Sequence, residues 1–169
     1  MEKVVIVSGY FNPIHRGHIE YFEEAKKYAG KNGKVIVIIN SDKQSLLKKK
    51  FSFIPEEDRL SIVSSLKTVD KAFISIDNDR TVCNSILKIF EEYSYNNIEF
   101  YFANGGDVTV DAPCPEEKIC KEKSIKLLYG FGLKIQSSSW ILEKSTSAYN
   151  KINGPTNNNQ IITKKRRLV

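Results

Sequence analysis

The sequence predicts an α/β fold, a single doubly wound domain built on a five-stranded parallel sheet. Short β-branched runs alternate with longer amphipathic stretches along the chain, and strands that alternate with helices form a parallel sheet covered on both faces. The runs at 4–7 and 35–39 are apolar throughout, which is typical of strands buried on both faces. A chain of 169 residues supplies one such core. A multidomain enzyme is therefore excluded.

The predicted elements follow in the order βαβαβαβαβα. After the first strand, apolar residues recur every three or four positions from Ile19 to Ala29, and Gly30 follows as a stop signal, which predicts a helix. Pro55 and the three acidic residues after it form a helix-start pattern. The later elements are a strand at 72–76, a helix at 82–93, a strand at 98–103, a short helix at 116–123, a strand at 125–129 and a last helix opened at 137–142.

The charge and composition of the chain divide it into a body and a tail. From about Ser145 the sequence is rich in Asn, Ser, Thr and Lys, a composition that does not build a core. We therefore expect a folded domain at 1–144 and a polar, basic tail at 145–169. The clusters at 48–50 and 164–167 contain seven basic residues, more than the whole net charge of +6. The balanced body does not have the broad positive face of a nucleic-acid-binding domain.

The sequence also bears on the compartment and on metals. No apolar run approaches the roughly 18 residues of a membrane span, and the first residues lack a signal-peptide pattern. The three cysteines, Cys83, Cys114 and Cys120, are an odd number without zinc-ligand spacing. We expect a cytoplasmic protein without a membrane partner, a disulfide framework or a metal site of its own.

The strongest functional pattern is GYFNPIHRGH at 9–18, directly after the first strand and at the start of the first helix. Open parallel sheets bind ligands at the carboxyl ends of their strands, and a helix N-terminus favours anions. The chain has two histidines, His15 and His18, and both lie in this segment. Two imidazoles here can donate hydrogen bonds to charge that grows during phosphoryl transfer. Gly9 and Gly17 would let the backbone approach a ligand. The alternative is an ordinary turn with capping residues.

This segment resembles the HxGH motif of the nucleotidyltransferase superfamily, the cytidylyltransferase-like proteins with a Rossmann-like fold. Further short motifs occur in the order seen in glycerol-3-phosphate cytidylyltransferases and in heptose-phosphate adenylyltransferases. They are NSD at 40–42, KKK at 48–50, PEEDR at 55–59, VD at 69–70, NGGD at 104–107 and SSSWIL at 137–142. The resemblance covers about residues 3–144. It implies an enzyme that joins an NTP to a phosphorylated small molecule and releases pyrophosphate.

The resemblance also implies roles for individual residues. His15 and His18 would contact the α and β phosphates, and Lys49, favoured over Lys48 and Lys50, would neutralise the transferring group. The acceptor phosphate is already ionised, so catalysis would consist of positioning and charge stabilisation. The implied nucleotide-binding residues are Gly9, Tyr10, Phe11, Gly17, Lys48, Gly105, Asp107, Ser137, Ser138 and Ser139, with Gly106 as a further candidate, and the implied acceptor-binding residues are Asn12, Asp42 and Arg59.

The substrates are left open at this point. CTP with a polyol or sugar phosphate is the first expectation, and ATP with a heptose phosphate or nicotinate mononucleotide is the alternative. A nucleotide-binding or nucleic-acid-binding module without turnover is the third possibility. Asn12 stands where cytidylyltransferases usually have Asp, although nicotinate-mononucleotide adenylyltransferases also have FNP here, and Gly132 falls where cytidylyltransferases carry Arg. Asn104 replaces a Lys found in the heptose enzymes, so the base and the acceptor are left undecided. Mg²⁺ is expected to arrive with the NTP, and the family implies a homodimer.

Overall fold

The computed structural model describes residues 1–94, 97–105, 114–132 and 137–153, apart from the side chains of Lys49 and Asn153. Strands and helices alternate along these ranges, as the sequence predicts. The elements are β1 (Glu2–Gly9), α1 (Arg16–Ala29), β2 (Lys34–Ile39), α2 (Asp42–Lys49), α3 (Glu56–Ser64), β3 (Lys71–Ile74), α4 (Cys83–Tyr93), β4 (Ile98–Gly105), α5 (Glu117–Glu122), β5 (Lys126–Phe131) and α6 (Ser138–Asn153).

The sheet has five strands in the described part of the chain, all parallel, in the order β3-β2-β1-β4-β5. The chain runs outward from β1 through β2 to β3 and then returns to the other side of β1 at β4. The carboxyl ends of β1 and β4 therefore border the point where the winding direction reverses. Doubly wound sheets bind their ligands in the crevice at this point. The predicted fold class is confirmed.

Helices cover both faces of the sheet, which explains why β1 is apolar throughout. Val5 and Val7 lie in one buried cluster with residues of α1 and α3. Val4 and Ile6 lie in a second buried cluster with residues of α4 and α5. Each fully buried side chain of this size stabilises the fold by about 1.5–3 kcal/mol. Alternate residues of β1 thus pack against the helices on opposite faces of the sheet.

The sequence pattern does not predict α2, and it predicts a longer β3. The large apolar residues of α2, Leu46 and Leu47, are both exposed, so this helix has no apolar stripe to reveal it. Its start is fixed by a capping box, in which the Ser41 hydroxyl accepts from the Gln44 N–H and the Gln44 side chain accepts from the Ser41 N–H. The lysine cluster therefore lies at the C-terminal end of a helix, where cations are favoured.

The chain divides into two units, Met1–Gln136 and Ser137–Val169. In the second unit, α6 starts at the SSSWIL motif and continues past residue 144, where the composition becomes polar. The change in composition therefore does not coincide with the end of this helix. The basic run at 164–167 lies outside the described residues. Within the described ranges no helix is both long enough and apolar enough to span a membrane.

Candidate active site

His15 and His18, called here the histidine pair, lie at the start of α1 beside the carboxyl edge of the sheet. The backbone N–H of His15 donates to Nδ1 of His18 over 3.3 Å. The two imidazole rings stack, with their centroids 3.7 Å apart and 18° between their planes. Both residues are half-buried. Because Nδ1 of His18 accepts a hydrogen bond, the neutral ring carries its proton on Nε2, which is the nitrogen that can donate.

Phe11 fixes the shape of the loop that carries the pair. Its ring is buried and lies edge-on to His18 and to Phe22, with centroid distances of 5.0 and 5.1 Å. A Cβ on Gly9 would come within 2.8 Å of this ring, so glycine at position 9 lets the ring pack. The φ angle of Phe11 is 49°, a left-handed conformation that costs of order 1–3 kcal/mol. Gly9 and Phe11 thus shape the loop, and their predicted nucleotide contacts stay predictions.

The first turn of α1 provides backbone donors next to the histidines. Two N–H groups at this helix start already have partners, since that of His15 donates to Nδ1 of His18 and that of His18 donates to the carbonyl of His15 over 2.9 Å. The N–H groups of Arg16 and Gly17 lie in the same turn, at the positive end of the helix dipole. Helices α2 and α3 have acidic residues in their first turns, whereas α1 has none. Gly17, a predicted nucleotide-binding residue, lies in this turn. The start of α1 is therefore suited to bind an anionic group such as a phosphate.

Arg59 ties this loop to the rest of the sheet edge. Its side chain is only 1% exposed. Nη1 donates to the carbonyls of Tyr10 and Asn40, each over 2.7 Å, Nε donates to the carbonyl of Ile54 over 2.9 Å, and Nη2 donates to Oδ1 of Asp42 over 2.7 Å. These bonds use most of the five N–H groups of the guanidinium. The structure places Arg59 as a positioning residue, and its predicted contact with the acceptor stays a prediction.

Asn12 and Asp42 meet at Ser52, which the sequence analysis does not single out. The Ser52 hydroxyl donates to Oδ1 of Asp42 over 2.6 Å and accepts from Nδ2 of Asn12 over 3.1 Å. Oδ1 of Asn12 accepts from the Ile54 N–H over 2.8 Å. Burial raises the pKa of Asp42, but hydrogen bonds from Ser52 and Arg59 outweigh it and hold the pKa below its usual value. We call Asn12, Asp42, Ser52 and Arg59 the clamp.

The clamp bears on why position 12 is asparagine rather than the aspartate that is usual in cytidylyltransferases. An aspartate at position 12 could not donate to Ser52, whose own proton is directed to Asp42. It would also bring a second carboxylate towards the first, with no added cation to offset the repulsion. Asn12 therefore matches the rest of the clamp, and this is a structural reason for its identity.

The lysine cluster reaches the same loop from the end of α2. Nζ of Lys48 lies 4.9 Å from the ring centroid of Tyr10, so these two predicted nucleotide-binding residues are brought together. Burial raises the pKa of Tyr10, while nearby Arg80 lowers it and Glu116 raises it. Lys49 is the last residue of α2, and its side chain lies outside the described part of the structure. Its catalytic role stays a prediction.

The end of β4 holds a buried amide. Gly105 ends the strand, and Asn104 before it is buried, with Oδ1 3.9 Å from Sγ of Cys114. Among the described residues, Nδ2 of Asn104 has no hydrogen-bond partner, a state that costs about 1–3 kcal/mol. Burial raises the pKa of the Cys114 thiol to about 11. Gly106 and Asp107 lie outside the described residues.

The remaining predicted residues belong to the second unit. Ser138 and Ser139 are the first residues of α6, and the carbonyl of Ser137 accepts from the Ile141 N–H over 3.1 Å. Their predicted role in binding phosphates stays a prediction. In the described ranges, no cluster of three or more His, Cys, Asp or Glu side chains could hold a metal ion.

Comparison with known proteins decides the family. The family described as cytidylyltransferase-like matches residues 6–154, a span that begins within β1 and includes all of α6. The protein belongs to this family of nucleotidyltransferases. The resemblance inferred from the sequence motifs is confirmed.

This cytidylyltransferase-like protein has relatives and structural neighbours among archaeal proteins. It is 38% identical over 88 residues to an FAD synthase of Methanopyrus kandleri, covering 52% of this chain and 59% of that protein. It is 28% identical over 142 residues to an FAD synthase of Methanobrevibacter smithii, covering 84% of this chain and 90% of that protein. Its fold is similar to that of a lipopolysaccharide core biosynthesis protein from Thermoplasma volcanium, with a TM-score of 0.57 and 21% identity over 78% of this chain and 98% of that one.

Proposed function

We propose that this protein is an adenylyltransferase that transfers AMP from ATP to the phosphate of FMN, forming FAD and pyrophosphate. The observation that carries the proposal is the similarity to the Methanobrevibacter smithii FAD synthase over 84% of this chain and 90% of that protein. The names of the relatives favour the ATP alternative over the first expectation of CTP with a polyol or sugar phosphate. The arrangement of the histidine pair supports chemistry at a phosphate.

In the proposed reaction, an oxygen of the FMN phosphate attacks the α-phosphorus of ATP. The bond between that phosphorus and the bridging oxygen breaks, and pyrophosphate leaves with the electron pair. The acceptor phosphate is mostly ionised at neutral pH, because its second pKa is about 6. No general base is therefore needed. ATP would enter as its magnesium complex, in which phosphates and water hold most of the metal's coordination sites.

The histidine pair would act on the charge that develops in this reaction. The rings of His15 and His18 stack at the first turn of α1, so their ring N–H groups would be donors fixed in one small region. Donors fixed before the reaction stabilise a transition state without having to reorganise. Lys49, with Lys48 beside it, would neutralise the transferring phosphoryl group. The amide of Asn104 would offer its unpaired N–H to a ring nitrogen of the base.

The test is a substrate matrix with the full chain. ATP, CTP, GTP and UTP are each combined with FMN, glycerol 3-phosphate, a heptose phosphate or nicotinate mononucleotide, in the presence of Mg²⁺. Pyrophosphate is measured, and each product is identified by mass. We expect the fastest release with ATP and FMN, and a product with the mass of FAD. Faster turnover of CTP with a polyol phosphate would overturn the proposal. No turnover together with salt-sensitive RNA or DNA binding would favour a binding module.

A further inference from the structure

The segment after the lysine cluster exposes two aromatic rings. Phe51 is 49% exposed and Phe53 is 55% exposed, although phenylalanine is among the residues most often buried. Ser52 and Ile54 are less exposed, so the exposure alternates along the segment. Alternation of this kind turns Ser52 and Ile54 towards the protein and presents the two phenylalanines to solvent.

The clamp holds this segment against the loop of the histidine pair. Ser52 is bonded through its hydroxyl to Asn12 and Asp42. The N–H of Ile54 donates to Asn12, and the carbonyl of Ile54 accepts from Arg59. The residues on both sides of Phe53 are therefore fixed. Two exposed rings on a segment held in this way form a preorganised surface rather than part of a loose loop.

The clamp also redirects the predicted acceptor contacts. The three residues that the family resemblance assigns to the acceptor, Asn12, Asp42 and Arg59, direct their polar groups at this segment and its neighbours. The groups that the segment exposes therefore lie beside the residues predicted to bind the acceptor. In Phe51 and Phe53 those groups are flat, apolar and aromatic.

We propose that Phe51 and Phe53 form the stacking surface for the isoalloxazine ring of FMN, a specificity site that rests on the proposed function. Flat ring systems stack on aromatic side chains, and such contacts add to the free energy of burial. Lys48, which lies over the Tyr10 ring, brings a cation to the adjoining loop. That charge matches an acceptor whose ring carries an anionic phosphate at the end of an attached chain. A polyol phosphate has no ring to stack, so the two phenylalanines select against it.

The experiment compares flavin binding and turnover in matched variants of the full chain. Phe51→Leu and Phe53→Leu keep an apolar side chain and remove the ring, whereas Phe53→Trp keeps an aromatic ring. Ile62→Ala is the control, since Ile62 on α3 is similarly exposed at 41%. FMN binding is followed by quenching of flavin fluorescence, and FAD formation gives the KM for FMN and for ATP. Thermal unfolding confirms that each variant is folded.

We expect each leucine variant to raise the Kd and KM for FMN about tenfold, the loss from one stacking contact, with an unchanged KM for ATP. Phe53→Trp and Ile62→Ala should bind FMN as the wild type does. A wild type that makes FAD while both leucine variants keep its affinity for FMN overturns this inference alone. A wild type that neither binds nor converts FMN overturns the proposed function and this inference with it. If the wild type is a dimer and the leucine variants are monomers with unchanged FMN affinity, the two rings belong to an interface between copies of this chain. That result also overturns the inference.

Discussion

The histidine pair and the clamp lie side by side at the carboxyl edge of the sheet, yet they use their polar groups differently. In the clamp, donors and acceptors are matched within the protein, and the guanidinium of Arg59 is buried. The histidine pair is half-buried at the start of a helix that has no acidic residue in its first turn. The clamp thus sets the geometry of the loop, whereas the histidine pair lies where the proposed function requires contact with the substrate's phosphates.

The largest effect is expected from breaking the clamp at Arg59. Arg59→Met removes four hydrogen bonds and leaves Asp42 without its cation. Removing one partner of a buried pair costs about 3–5 kcal/mol, and the partial exposure of Asp42 places the expected loss of unfolding free energy near the lower value. Urea unfolding measures it, with Lys43→Met as an exposed control. A loss no larger than that of the control would show that the clamp does not hold the fold.

The clamp also predicts a pH dependence. The pKa of Asp42 is lowered in the folded protein, so its carboxylate adds stability above the unfolded-state pKa of about 4. That stability is lost as the pH falls through the lower folded-state pKa. The difference in unfolding free energy between the wild type and Arg59→Met should therefore narrow below about pH 4. A constant difference from pH 7 to pH 3 would contradict this.

The next largest effect concerns the histidine pair. His15→Ala and His18→Ala should each lower kcat by on the order of 100-fold, as removal of one fixed transition-state donor does. The free energy of unfolding should change little, because both rings are only half-buried. FAD formation and urea unfolding are measured on the same preparations. Near-normal turnover in both variants would contradict the proposed role of the two histidines in stabilising the transition state.

A smaller effect is expected when the aspartate that is usual in cytidylyltransferases is placed at position 12. Asn12→Asp loses the bond from Nδ2 to Ser52 and brings a carboxylate towards Asp42. We expect a loss of about 2 kcal/mol in unfolding free energy, the cost of an unmatched buried polar group. Asn32→Asp makes the same change at an exposed site and should have little effect. Equal stability of the two variants would rule out the clamp as the reason for Asn12.

The smallest effect is expected from substitutions in the lysine cluster at 48–50. Successive helical residues point about 100° apart, so only one side chain of the cluster can point deepest into the site. Lys49→Ala should lower kcat about tenfold, the loss of roughly 1.4 kcal/mol of transition-state stabilisation. Lys48→Ala and Lys50→Ala should lower it less. The rate of pyrophosphate release measures kcat in each variant. If all three substitutions lower kcat equally and only slightly, the cluster is no more than a solvated helix end.

Much of the fold could be predicted from the sequence because its signals are local. The apolar run of β1 and the spacing of apolar residues in α1 are each contained in one short segment. Helix α2 lacks such a pattern, and its available signal was the Ser41–Gln44 capping box. The histidine pair was predictable for the same reason, since both residues lie in one motif.

The clamp could not be predicted in this way. The position of Arg59 in a helix start gives no sign that it bonds the carbonyl of Tyr10, 49 residues away. The role of Ser52 depends on two distant partners, Asn12 in the loop after β1 and Asp42 at the start of α2. Such matching of donors and acceptors exists only once the strands have brought the loops together. The sequence motifs therefore gave no sign of the hydrogen bonds by which Asn12, Asp42 and Arg59 hold the backbone, and the predicted contacts of these residues with the acceptor stay predictions.

The histidine pair is proposed to act on the phosphates and the clamp to hold the loop. The most direct test measures kcat and the KM for FMN and for ATP in His18→Ala and Asn12→Asp side by side. FAD formation is the assay, with both proteins kept well below their unfolding temperatures. We predict a kcat lowered on the order of 100-fold with an unchanged KM for FMN in His18→Ala. In Asn12→Asp we predict a raised KM for FMN with kcat largely kept, because the segment of Phe51 and Phe53 is displaced. An equal loss of kcat in both variants, with no change in either KM, would contradict the account.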